Sequence, residues 1–198
     1  MEKKSTKEKI LEATLLLISD KGYLGATTRE IASQAGLSEI TLFRHFGSKE
    51  NLFEAVLNQY TFLPHIKEMR PDLETLPYPD ALFLVGTRFL WNLKEGKSLV
   101  KIIVSECKLY PEKIKRVYNR VVEELVNTLA DYIASLQDAG EVRKFPPVDL
   151  ARIYLRSIYS YFLIEEIIRG ENLGSADIEK YVRQMVDVFV GGTLPTGK

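Results

Sequence analysis

From Thr27 to Leu52 the chain reads TTREIASQAGLSEITLFRHFGSKENL, a stretch whose polar groups suit recognition by hydrogen bonds and charge. Thr28, Arg29, Glu39, Thr41 and Arg44 supply hydroxyl, guanidinium and carboxylate groups of the kind that meet base edges and phosphates. Ile31, Ala32, Ala35, Leu37, Leu42 and Phe46 fall at the spacings that turn one helix face inward, which leaves those polar groups outward. The chain between the two helices must reverse sharply. Ala32 and Ala35 allow close helix contact, Gly36 can take positive φ at a helix end, and Ser38 can cap the next helix. These features define a helix-turn-helix, a reading head for DNA.

Other elements must brace and present this head. A first helix is predicted from Ser5, where Ser5 and Glu8 form a capping box, to Gly22, with Ile10, Leu11, Thr14, Leu17 and Ile18 facing inward. Helix two is expected over residues 28–35 and helix three over 39–46, with Ser48 capping a fourth helix from Lys49 towards Met69. Pro71, Pro77 and Pro79 predict an irregular connection from Arg70 to Pro79. Breakers then divide helices near 80–95, 97–109, 111–138, 148–169 and 175–190, and the closing GGTLPTGK reads as a frayed tail. The expected fold class is all-α, with about nine helices. A three-helix helix-turn-helix domain occupies 1–50, a connecting helix and linker 51–79, and a helical bundle 80–198.

Composition narrows the function classes. At 198 residues and 45% hydrophobic content the chain can bury a substantial core. A single cysteine, Cys107, excludes an intrachain disulfide, and with only His45 and His65 beside it no zinc-ligand spacing can be assembled from Cys and His. The expectation is therefore a protein of the reducing cytoplasm, with no metal and no cofactor. The apolar run ILEATLLLI is interrupted by Glu12 and lacks a cleavage site, and no run reaches the ~20 residues that span a bilayer, so no membrane association is expected. The 27 basic and 27 acidic side chains cancel. Residues 1–52 hold eight Lys or Arg against seven acids, so DNA affinity must come from charge placement, at Arg29, Arg44, Lys49 and the Lys-rich start.

The residues Gly22, Tyr23, Thr27, Thr28, Ile31, Ala32, Ala35, Gly36, Ser38, Thr41, Leu42, Phe43, His45, Phe46, Lys49 and Leu52 together resemble the TetR family of bacterial transcriptional repressors. The resemblance is detailed over residues 8–55; beyond them it extends only to length, helix number and the Phe189 to Gly192 ending. It implies that the helix from Glu39 enters the major groove and that a two-fold homodimer reads a palindromic double-stranded operator. By matching position it assigns Thr27, Thr28 and Arg29 to phosphate and base contact at the start of helix two, and sets Glu39, Ile40 and Thr41 against base edges. Phe43, His45 and Lys49 become backbone clamps. Many relatives carry glycine where Ile40 stands and tyrosine where Phe43 stands, so a hydroxyl contact to phosphate is lost here.

In the second half, Phe83, Thr87, Leu90 and Trp91 share one helical face and Tyr154, Ser157, Ile158 and Tyr161 another, so apolar walls bearing hydroxyls can converge around a lipophilic molecule. The resemblance implies an effector cavity there, for which Phe83, Thr87, Trp91, Cys107, Tyr118, Tyr154 and Tyr161 are the candidates. The helix near 148–169 is apolar on more than one side and the last helix carries a broad apolar stripe, which makes Tyr159, Phe162, Tyr181, Met185 and Phe189 candidates for a dimer interface. As in relatives, four helices from two subunits would form it.

The chain is thus expected to be a ligand-responsive dimeric repressor, cytoplasmic and associated with the nucleoid, with effector binding shifting the fourth helix and weakening the operator complex. An activator of the same architecture and a helical binding or structural protein with a degenerate head are the alternatives. No phosphate loop, nucleophile elbow or paired-carboxylate motif points to catalysis, so no catalytic residue and no enzyme activity are expected.

Overall fold

The computed structural model describes residues 4–106 and 108–195, and among them every regular element is helical. Backbone contacts divide the chain into two compact units, Met1–Thr61 with Gly96–Val121 and Phe62–Glu95 with Val122–Lys198.

The first unit begins with α1, Thr6–Gly25, whose Ser5 and Glu8 form the expected capping box. Gly22 interrupts α1 with φ of 75°, the positive value that glycine adopts without a Cβ clash. Helix α2, Thr28–Gln34, is capped by Thr27 and reciprocally by Glu30. Its end is a Schellman turn: the Leu37 N–H reaches the Ala32 carbonyl at 2.9 Å and the Gly36 N–H reaches Ser33 at 3.0 Å, with Gly36 at φ 70°. Helix α3, Glu39–Phe46, follows from the Ser38 cap, and α4, Lys49–Tyr60, from the Ser48 cap. Ile31, Ala32, Leu42, Phe46, Leu52 and Phe53 are buried, the large side chains contributing about 1.5–3 kcal/mol each. Helix α8, Lys97–Glu106, packs along α1.

Helix α4 stops nine residues short of the expected Met69. Thr61 turns extended, and Pro64, whose ring would clash with the Tyr60 carbonyl in a continuing helix, instead enters the first turn of α5, Leu63–Glu68. The stretch expected to be irregular holds a one-turn helix, α6, Arg70–Leu73, with Pro71 in its first turn, where a missing N–H is harmless.

The second unit is organised around α7, Tyr78–Glu95, against which α10, Pro147–Phe162, and α11, Ser175–Thr193, both pack. Gly86 permits that approach, since a Cβ there would stand 2.5 Å from Tyr154 Oη and 2.8 Å from Val182 Cγ1. Helix α9, Glu112–Asp138, is continuous, as expected, with residues 112–121 counted in the first unit and 122–138 in the second. The helix expected to run to residue 169 instead widens into a π-helix over Leu163–Ile168. Glu166 on this turn is buried, accepts from the Leu173 N–H at 2.8 Å and lies 3.4 Å from Lys94 Nζ. Part of the expected frayed tail is ordered: α11 continues to Thr193, whose buried hydroxyl shares a hydrogen bond with Tyr78 Oη at 3.0 Å. No helix among the described residues is long and apolar enough to cross a membrane.

Candidate nucleic-acid interface

The capping that starts α2 also engages most of its polar groups. Thr27 Oγ1 accepts from the Glu30 N–H at 3.2 Å and donates to Glu30 Oε2 at 2.7 Å, while Lys21 Nζ pairs with Glu30 Oε1 at 2.7 Å. Lys21 first, then the Thr27 hydroxyl and N–H, hold the Glu30 carboxyl down at about 2. Thr28, the first residue of α2, donates its hydroxyl to Glu39 Oε1 at 2.6 Å, tying the starts of α2 and α3 together. Ser38 accepts from the Thr41 N–H at 3.2 Å, and its hydroxyl lies 2.9 Å from Thr41 Oγ1.

The outward side of α3 is unlike an ordinary solvated helix. Ile40 is 81% exposed and Phe43 42%, two large apolar side chains flanked by the exposed Arg44 and His45. Arg29 is exposed on α2. Such a surface offers methyl and ring contacts for thymine methyls and sugars beside cationic groups for phosphate. Lys49 is drawn back: its ammonium stands 4.5 Å from the Tyr23 ring centre, and burial lowers its proton affinity. In the Lys-rich start, Lys4 is paired with Glu12 at 2.6 Å.

The brace behind the head depends on a carboxylate that the helix-turn-helix motif does not include. Glu106, at the end of α8, reaches Tyr23, whose ring packs against Phe53 at 5.0 Å and Tyr110 at 5.8 Å. Only the pairing of a remote carboxylate with a kinked helix could have revealed it, and no local signal carries that.

The effector candidates belong to both units. Tyr118 belongs to the first unit, Phe83, Thr87, Trp91, Tyr154 and Tyr161 to the second, and Cys107 lies outside the described residues. Arg183 lies 4.5 Å over the Phe83 ring, Lys94 stands 5.9 Å from Trp91, and the Thr87 hydroxyl is buried without a hydrogen-bond partner among the described residues. Tyr154 is fully buried, donates to the Leu82 carbonyl at 2.5 Å and meets Phe189 edge-on at 5.2 Å, so its hydroxyl is occupied within the core. Burial pushes the phenol strongly up. Tyr161 instead stacks flat on Tyr181, with ring centres 3.7 Å apart.

Two of the dimer candidates need correction. Phe162 and Phe189 are buried in the core of the second unit, because their helical phase points them inward. The exposed apolar side chains of α10, the π-turn and α11 are Ile153, Ile164, Ile168 and Val188, beside the half-buried Tyr159, Tyr181 and Met185. Among the described residues no group of three or more His, Cys, Asp or Glu is placed to hold a metal.

Comparison with known proteins places these features. Residues 10–56 match the family of bacterial regulatory proteins named tetR, and residues 81–192 match the C-terminal domain of AefR-like transcriptional repressors. The chain is 30% identical over 189 residues to YvkB, an uncharacterised HTH-type transcriptional regulator of Bacillus subtilis, covering 94% of this chain and 96% of that protein. It is 25% identical over 158 residues to IcaR, the negative transcriptional regulator of the biofilm operon icaADBC in Staphylococcus aureus, covering 79% and 82%. Among solved structures, the transcriptional regulator FadR of Bacillus subtilis, in complex with stearoyl-CoA, superposes with a TM-score of 0.75 at 18% identity, covering 93% of this chain and 98% of that one.

Proposed function

The chain belongs to the TetR family of bacterial transcriptional regulators, and from that premise we propose that it is a repressor that binds a palindromic operator as a homodimer and is released by a small lipophilic effector. The observation that carries this is the α2–α3 head, whose Schellman turn sets α3 outward with Arg29, Ile40, Phe43 and Arg44 exposed together. In this proposal residues 1–50 read DNA, 51–79 connect, and 80–198 bind the effector and dimerise.

The exposed apolar positions on α10, the π-turn and α11 support dimerisation by those helices, since a partner would cover Ile153, Ile164, Ile168 and Val188. A lipophilic effector fits the aromatic side chains of the second unit and the buried, unpartnered Thr87 hydroxyl, and FadR, of the same fold, holds stearoyl-CoA. A family regulator of this kind works in the bacterial cytoplasm on the nucleoid.

Footprinting of the full-length chain on DNA upstream of its own gene tests the proposal. A palindromic footprint that weakens steeply with salt is expected. Absence of protection at any salt concentration contradicts it and favours a protein whose head no longer reads DNA.

A further inference from the structure

Thr28 and Glu39 are the first residues of α2 and α3, and the hydrogen bond of 2.6 Å between them is half-buried. An ionised carboxylate only accepts, so the Thr28 hydroxyl is the donor and its single proton is directed at Glu39 Oε1. While this bond stands, that hydroxyl cannot donate to a DNA phosphate.

The bond also selects a rotamer. Glutamate on a helix surface samples several side-chain conformers, and a tether on one oxygen removes most of them while leaving the second oxygen with free acceptor capacity. Glu39 immediately precedes Ile40, the most exposed large apolar side chain of the head, at the start of α3. A fixed acceptor without a proton matches the cytosine amino group, is repelled by the carbonyl oxygens of guanine and thymine, and meets in adenine an amino group beside the N7 acceptor, which repels it. Resting on the DNA-binding function proposed above, we propose that Thr28 is a positioning residue that holds Glu39 to select cytosine at one position of each operator half-site.

The test selects duplexes from a randomised library with the full-length chain and its Thr28→Val, Thr28→Ser, Glu39→Ala and Glu39→Gln variants, then measures affinity on the selected site and its single-base changes. The wild type discriminates for cytosine at one position per half-site by about tenfold or more. Glu39→Ala flattens that position alone, and Glu39→Gln moves its preference to adenine. Thr28→Val loses most of the discrimination and Thr28→Ser, which restores the hydroxyl, keeps it. A Thr28→Val chain that retains the preference overturns the positioning role. So does one that weakens every site equally with a shallower salt dependence, the behaviour of a lost phosphate contact. A wild-type chain that enriches no duplex overturns the DNA-binding function itself and this inference with it.

Discussion

Glu106 Oε2 accepts a hydrogen bond of 3.0 Å from the backbone N–H of Tyr23, across 83 residues of sequence. The bond lies where α1 kinks at Gly22, and a Cβ on Gly22 would land on the Glu106 carboxylate. The kink frees the Tyr23 N–H from the helix, α8 supplies the acceptor, and only glycine leaves room for it.

Substitution at this latch is expected to be non-additive. Gly22→Ala combines positive-φ strain with a clash and should cost about 1–3 kcal/mol, while Glu106→Ala leaves a part-buried N–H without its partner and should cost about 1–2 kcal/mol. In the double variant the clash is gone, so Gly22→Ala costs less than it does alone. Chemical denaturation of the four proteins gives the coupling, and strict additivity contradicts the latch.

The capping box of α2 has a pH signature. The Glu30 carboxyl, ordinarily near 4.5, is held down to about 2, so its contribution to stability is complete above 4.5 and is lost as pH falls towards 2. Glu30→Gln keeps a cap but does not titrate. The melting temperatures of the two proteins should differ most above pH 4.5 and converge below it. A constant difference across that range contradicts the assignment.

Close packing at Gly86 predicts another compensation. Gly86→Ala pushes a methyl against Tyr154 Oη and Val182, which should destabilise by about 1–3 kcal/mol. Tyr154→Phe removes the nearest atom, so Gly86→Ala should cost less in that background. Equal costs in both backgrounds, measured by thermal unfolding, would show that α10 and α11 do not close on α7 at this point.

The outer faces of α10 and α11 should behave differently from their inner faces. Ile168→Glu together with Val188→Glu is expected to give a folded monomer by sedimentation, since both side chains are exposed. Phe162→Ala, in the core, should cost about 3–5 kcal/mol of stability instead. A dimer that survives both charged substitutions places its interface elsewhere.

Features set by neighbouring residues were legible in the amino-acid sequence, and features set by tertiary packing were not. Ser5, Ser38 and Ser48 cap their helices through side chains only three residues from the groups they bind, and Gly36 turns the chain by its own φ. Pro64 carried a stop signal for α4 that apolar periodicity through residues 63–69 obscured. The inward phase of Phe162 and the outward phase of Ile164 follow from what α7 and α11 pack against, and a helix apolar on two sides does not reveal which side is which. Thr28 was expected to face DNA; its bond to Glu39 required knowing how closely the two helix starts approach. The assembly of each compact unit from two separate stretches is likewise a property of contacts and not of local sequence.

In the proposed function the exposed side chains of α2 and α3 bind duplex DNA. This is tested most directly by measuring, over a range of salt concentrations, the affinity of the full-length chain and its Arg29→Ala/Arg44→Ala variant for a duplex selected by the wild type. The wild type should occupy two half-sites about 34–36 Å apart, and the variant should bind more weakly. Its salt dependence should be shallower by roughly one for each phosphate contact removed. Equal affinity and equal salt dependence for the two proteins would contradict the claim.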